Sequence, residues 1–255
     1  MSPLILLSFF CVILVATSQG SDVVHRIQPL QIHPLRLQSD SACLSWRVAV
    51  EAHNIIDWTV APEGCEGYIG NYMLGGQYRK DSKVVADEAY EYAKSLKIRD
   101  IGKDVWVFDV DETVLSHVPF YALHGFGAEP VNYIEFFEWL AKGKAPALPE
   151  SLKLYNKLLS LGIKVAFLTG RGEELRNITA TNLKNAGYHT WEKLLLRGPG
   201  SENTTAVVYK SAERRKLEEE GYRIVGNSGD QWSDITGTNV GERTFKLPNP
   251  MYYVK

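Results

Sequence analysis

The chain has 255 residues, 45% of them hydrophobic and 23% charged, enough to bury a full core in one domain with a smaller appendage. Its formal net charge of −2 excludes a polyelectrolyte surface for a nucleic-acid polymer or an anionic membrane. It contains no internal repeat and no low-complexity tract.

Leu4 to Ala16 is almost wholly apolar, no charged side chain precedes Asp22, and the small residues Thr17, Ser18 and Gly20 follow. This predicts a secretory signal peptide over 1–20, cleaved after Ser18 or Gly20, although no Lys or Arg stands before the apolar run. The alternative is a short membrane anchor, but a span needs roughly 18–20 apolar residues, more than this run offers. Secretion leads to an oxidising compartment, where Cys43 and Cys65 remain once Cys11 leaves with the signal. They predict one disulfide, closing a loop of about 20 residues and worth about 3 kcal/mol by chain entropy; two buried free thiols are the alternative. Two sequons, Asn177-Ile178-Thr179 and Asn203-Thr204-Thr205, are candidate glycosylation sites, with Asn203 in a polar loop and Asn177 in a predicted helix.

Residues 21–45, with Pro29 and Pro34, read as extended or irregular. A helix is predicted from Cys43 to Ile56, then a structured loop rich in glycine and aromatics from Asp57 to Gly76. Asp81 to Leu96 is amphipathic, with Val85, Ala89, Tyr92 and Leu96 on one face and Asp81 placed as N-cap. Residues 21–100 thus form a mostly helical N-terminal extension. From residue 101 the pattern alternates. Strands are predicted at Asp104–Asp109, Ile163–Leu168, Leu194–Leu196, Arg223–Val225 and Thr244–Leu247. Helices are predicted at Asn132–Lys142, Pro149–Ser160, Glu173–Ala186 and Lys210–Glu220. Short apolar strands alternating with helices predict an α/β fold, a parallel sheet covered on both sides, whose ligand site lies beyond the strands' carboxyl ends.

At those ends stand the residues that carry chemistry. The first strand runs through Val107-Phe108 into Asp109-Val110-Asp111-Glu112-Thr113, and a strand tip is a rigid mount for a nucleophile. An acidic turn is the duller reading of that stretch alone. The second strand ends in Thr169-Gly170-Arg171. The fourth leads to Gly229-Asp230 and on to Asp234, and Lys210 stands before the charged helix. Gly229 is expected to give the backbone freedom beside Asp230. Ionised groups are costly to bury unpaired, so carboxylates, a hydroxyl and an ammonium at one sheet edge suit a divalent cation and a phosphoryl group.

In order, Asp109-Val110-Asp111-Glu112-Thr113, Thr169, Lys210 and Gly229-Asp230-Gln231-Trp232-Ser233-Asp234 resemble the four motifs of the haloacid dehalogenase (HAD) superfamily of phosphohydrolases. The signal peptide, the helical extension and the segment Asp109–Ser116 are similar to those of plant acid phosphatases and vegetative storage proteins of the class B group. The resemblance covers nearly all of the mature chain. It implies a Rossmann-like HAD phosphatase domain over 101–255, with no large cap domain evident between residues 117 and 148.

The resemblance also implies roles. Asp109 attacks phosphorus and forms an aspartyl-phosphate, while Asp111 protonates the leaving alkoxide and later takes a proton from water. Thr169 and Lys210 hold the phosphoryl oxygens. Mg²⁺ takes oxygens from Asp109 and Asp230 and the backbone carbonyl of Asp111, with Asp234 steadying the metal shell. Asp109 must stay ionised and Asp111 must carry a proton, so their environments are expected to push in opposite directions, with activity peaking on the acid side of neutral. A dehalogenase would not need the second aspartate. Pumps of the superfamily carry Thr at the Asp111 position, so Asp111 favours fast hydrolysis.

Arg171, Phe120 and Tyr121 are candidate substrate contacts, while Phe136, Phe137 and Trp139 are expected on the buried side of their helix. The expected activity is that of a secreted or vacuolar Mg²⁺-dependent acid phosphatase acting broadly on phosphomonoesters, a homodimer by resemblance. A vegetative storage protein with little catalysis is the second reading, weakened by the intact Asp109; a lectin or adhesion module is a third.

Overall fold

The computed structural model describes residues 34–98, 102–201 and 203–255; the predicted signal peptide and the rest of residues 1–33 lie outside the described residues. Three helices lead into the sheet: α1 (Pro34–Glu51), α2 (Glu66–Leu74) and α3 (Gln77–Ser95). Helix α1 begins nine residues before the expected start at Cys43, because proline fits a first helical turn, where its missing N–H is no loss. It stops short of the expected Ile56. His53 at φ 60° and Asp57 at φ 57° turn the chain out of the helix.

Helix α2 replaces an expected loop. Its glycines argue against a helix on propensity, but Ile69, Tyr72 and Met73 are buried in a cluster with Cys43, Cys65 and Phe126, and packing overrides propensity. Gly70 is needed there, since a Cβ would come within 2.9 Å of the Phe126 ring. The expected disulfide is present, joining Cys43 of α1 to Cys65 just before α2. Helix α3 starts one turn earlier than expected, after Gly76 at φ 90°, a left-handed conformation that glycine adopts at no steric cost. Asp81 is therefore not its cap; it accepts hydrogen bonds from Tyr72 Oη (2.8 Å) and Gln77 Nε2 (2.7 Å).

The sheet has five parallel strands in the order β3-β2-β1-β4-β5: β1 (Asp104–Phe108), β2 (Lys164–Gly172), β3 (Lys193–Arg197), β4 (Arg223–Gly229) and β5 (Thr244–Lys246). All five strands were expected. Between β1 and β2 come α4 (Val118–Tyr121), α5 (Tyr133–Ala141) and α6 (Pro149–Ser160); α7 (Arg176–Asn185), α8 (Ala206–Glu219) and α9 (Trp232–Ile235) make the later crossovers. Helix α6 buries Leu154, Tyr155 and Leu158 against the same sheet face that receives Ala86, Ala89 and Ala93 of α3. The opposite face, with Val105, Val107, Ala166 and Leu168, is covered by Tyr209 and Leu217 of α8. Trp106 of β1 lies over Gly226 of β4, where any Cβ would sit 2.4 Å from the indole, and its Nε1 donates to Ser228 Oγ at 2.9 Å.

The chain leaves β1 for β2 on one side and returns to β4 on the other, so the sheet's topological switch point lies between β1 and β4. No large cap domain intervenes between β1 and β2, as expected. The last segment, residues 247–255, runs back across this edge. Leu247 N donates to Gly229 O, Ala206 N at the start of α8 donates to Lys255 O, and Tyr252 stacks on Tyr121 at 5.3 Å. Among the described residues no helix is long and apolar enough to cross a membrane.

Candidate active site

Beyond the carboxyl end of β1 the backbone closes a tight loop. Asp109 N donates to Ser228 O of β4 (2.9 Å), Leu115 N returns to Val110 O (2.9 Å), and Glu112 takes φ 55°. Thr113 Oγ1 donates to Asp230 Oδ1 at 2.9 Å, tying this loop to the end of β4. Glu112 is fully buried and accepts from the His117 backbone N–H; burial pushes its carboxyl up to about 8.

Lys210 lies one turn inside α8 rather than before it, since the helix begins at Ala206. Its Nζ is buried between two carboxylates, 2.5 Å from Asp109 Oδ1 and 2.5 Å from Asp234 Oδ1. Burial would lower its pKa, but Asp109 and Asp234 outweigh that and raise it. Asp234 Oδ2 also accepts from Gln231 N (2.8 Å), completing a reciprocal cap on α9. Gly229 is required for this approach: an added Cβ would lie 2.2 Å from Asp234 Cβ. Its role is therefore space for Asp234, not the backbone freedom expected from sequence.

Oxygens of Asp109, Asp230 and Asp234 lie within 4.8 Å of one another, all buried. Burial pushes the Asp109 carboxyl well above the usual range despite Lys210, with Asp234, Asp230 and Asp111 adding to the push. Burial, then Asp234, raises Asp230 to about 6, although it accepts from Asn249 Nδ2 and Gln231 Nε2, each 2.7 Å from Oδ2. Three close carboxylates facing one ammonium leave excess negative charge among hard oxygen donors, a set that fits a divalent cation. The Asp111 side chain is not part of it, because its carboxylate is turned to a separate group of donors.

Those donors are Arg171, His117 and Thr169. Arg171 Nη2 and Nε reach Asp111 Oδ1 at 2.7 and 3.0 Å, His117 Nε2 lies 2.5 Å from the same oxygen, and Thr169 Oγ1 donates to Oδ2 at 3.2 Å. Burial alone would raise Asp111; the Arg171 charge and the His117 hydrogen bond outweigh it and hold the carboxyl far below the usual range. The two environments do differ, but their order is the reverse of the one expected: Asp109 is pushed up and Asp111 down. Burial among carboxylates raises Asp109, and Arg171, expected to contact substrate, lies on Asp111 instead and lowers it. Its Nη1 also donates to Thr179 Oγ1 (3.1 Å), so the sequon threonine of Asn177 is buried beneath it. Asn177 and Asn203 are both exposed.

These groups open on a cleft of about 940 Å³. Tyr121 lines it, but Phe120 does not: it is buried, stacked on His124 at 4.0 Å and packed edge-on to Phe136 at 5.1 Å. Of the three aromatics expected on the buried side of α5, Phe137 is 52% exposed and lines the cleft, while Phe136 lines it too but is packed, partly buried, against the core, as Trp139 is. The periodicity of α5 does show an apolar face, but that face borders the cleft as well as the core. Tyr252, stacked on Tyr121, lines the cleft with Tyr253 and Val254. Sequence reasoning missed His117, Gln231 and Asn249; only their nearness to Asp111 and Asp230 marks them, and for Asn249 that nearness exists only in three dimensions.

Comparison with known proteins agrees with this arrangement. Residues 30–255 match the family described as HAD superfamily, subfamily IIIB (acid phosphatase). Acid phosphatase 1 of Solanum lycopersicum is 51% identical over 219 residues, covering 86% of each chain. Vegetative storage protein 2 of Arabidopsis thaliana is 44% identical over 214 residues, covering 83% of this chain and 80% of that one. Among solved structures, the class C acid phosphatase from Bacillus anthracis superposes with a TM-score of 0.60 at 25% identity, covering 74% of this chain and 85% of that one.

Proposed function

We propose a mechanism and a setting from one premise: the chain belongs to subfamily IIIB of the HAD superfamily, the acid phosphatases, and is a phosphoric monoester hydrolase. Asp109 attacks the phosphorus of a phosphomonoester, so that an Asp109 oxygen–phosphorus bond forms as the bond to the leaving oxygen breaks. Asp111 gives its proton to that oxygen. It then removes a proton from the water that attacks the aspartyl-phosphate, releasing phosphate and restoring Asp109. Lys210 and Thr169 offset charge on the phosphoryl oxygens.

Asp111 must gain its proton from an environment that holds it ionised. Arg171 supplies the answer, because it borders both Asp111 and the cleft. A phosphoryl dianion competes for the guanidinium, and each donor drawn away from Asp111 raises the affinity of that carboxylate for a proton. Asp109, Asp230 and Asp234 would hold Mg²⁺, joined by the backbone carbonyl of Asp111; when bound it supplies Lewis-acid neutralisation of the phosphoryl charge.

The single observation that carries this reading is the division of labour between the carboxylates. Asp109 shares a buried acidic cluster with Lys210, while Asp111 sits 2.5–3.2 Å from its own set of donors. The test is a Mg²⁺-dependent phosphatase assay of the mature chain beside Asp109→Asn. Turnover should vanish in the variant, and full activity there would reject the covalent route.

The setting we propose is the secretory pathway, ending outside the cell or in the vacuole, with Asn203 glycosylated, Asn177 a second candidate, and the protein a homodimer. The open cleft without a cap domain supports broad use of phosphomonoesters. Likeness to a vegetative storage protein keeps an amino-acid reserve as the second role, and that role is compatible with an intact Asp109.

A further inference from the structure

His117 is fully buried and immobilised from three sides. Its backbone N–H donates to Glu112 Oε1, the Phe136 ring packs edge-on at 5.2 Å, and Trp139 Nε1 lies 2.8 Å from its Nδ1. An indole N–H only donates. Nδ1 must therefore present its lone pair, and the proton of the ring sits on Nε2, which faces Asp111 Oδ1 at 2.5 Å. The Trp139 indole thus selects the one neutral tautomer that donates to Asp111.

We propose that His117, locked by Trp139, is the positioning residue that orients Asp111 for proton transfer. The inference rests on the acid–base role assigned to Asp111 above. Arg171, the other strong donor on Oδ1, is the group a phosphoryl dianion draws away, which leaves His117 as the fixed donor on that oxygen. A carboxyl group that accepts a hydrogen bond on Oδ1 carries its own proton on Oδ2, the oxygen beside Thr169 Oγ1. His117 therefore decides which oxygen of Asp111 delivers the proton. Its contact with substrate is not required, since it acts through Asp111 alone.

The consequence is a dependence on the leaving group. An aryl leaving group such as p-nitrophenolate departs with little protonation, whereas an alkoxide needs the acid. His117→Phe keeps a ring in the site and removes the donor; His117→Gln places an amide N–H where Nε2 stood; Trp139→Phe removes the lock. Kinetics are measured on p-nitrophenyl phosphate and on glycerol 2-phosphate, with folding followed by near-ultraviolet circular dichroism. In His117→Phe, kcat/KM, which reports the step that expels the leaving group and not the later hydrolysis common to both esters, should fall at least about tenfold more for the glycerol ester than for the nitrophenyl ester. His117→Gln should recover much of that difference, and Trp139→Phe should show a smaller loss in the same direction. If His117→Phe does not fold, Trp139→Phe decides alone. Equal losses on both substrates, or no loss, overturn the inference. Asp111→Asn separates the two levels: leaving-group dependence there, without it in the His117 and Trp139 variants, removes the positioning role alone. Its absence in Asp111→Asn removes the acid role and the inference with it.

Discussion

Replacing Asp230 by Asn is expected to stabilise the protein at neutral pH in the absence of divalent cations while destroying activity. Asp230 is 1% exposed, and burial raises its pKa from 3.8 to about 6. A raised carboxyl pKa means that the native state binds the proton more tightly than the unfolded chain. That support for folding is fully present below pH 3.8 and is lost as pH climbs through about 6. At pH 7.5 the ionised Asp230 therefore costs about 3 kcal/mol at 1.36 kcal/mol per pKa unit.

Asn removes the charge and keeps the hydrogen bonds. Its oxygen replaces Oδ2 and accepts from Asn249 and Gln231, and its amide replaces Oδ1 and donates to the Thr113 hydroxyl, which turns round to accept. Thermal unfolding with EDTA at pH 7.5 should show a gain of about 6–10 °C in Tm for Asp230→Asn, and at pH 4.5 about a third of that, since only about 1 kcal/mol of the support is lost there. Adding Mg²⁺ at pH 7.5 should raise the wild-type Tm and leave the variant unmoved. A variant that is no more stable than wild type at pH 7.5, or equally stabilised at both pH values, would refute the charge argument.

Reducing the Cys43–Cys65 bond releases a loop of 22 residues, so a reduced sample should lose about 3 kcal/mol and several degrees of Tm. Gly229→Ala drives a methyl group into Asp234 and should lower kcat at least about tenfold by moving that carboxylate off Lys210, read by steady-state kinetics. Because Arg171 and His117 hold Asp111 ionised, its protonated fraction grows as pH falls. The kcat/KM profile should accordingly peak below pH 7, and one still rising above pH 8 contradicts the assignment of Asp111 as the acid.

The sheet was legible because each strand is a short apolar run that ends at a polar or glycine-rich loop, and the charged groups at those ends are the ones the structure gathers. Asp109 and Asp230 meet through strand order, and Lys210 and Asp234 through the helices on either side of β4, so chain order sufficed to group them. What escaped depends on side-chain direction. Helix α2 is held by a disulfide and by Phe126, both invisible to local propensity. The apolar face of α5 borders a cleft as well as the core, and periodicity cannot tell one from the other. Phe120 and Tyr121 are adjacent, yet one faces the core and the other the cleft. Arg171 was legible as a site residue but not as the partner of Asp111, since its charge reaches sideways across the sheet edge.

The path of residues 247–255 has a consequence for biosynthesis. A nascent chain that has emerged only as far as Lys246 already contains every strand and all four motifs, yet Asp230 still lacks its Asn249 partner and the cleft lacks the wall built from Tyr252 to Val254. The Asn249 hydrogen bond to Asp230 and that part of the cleft lining can therefore form only after translation has passed Val254.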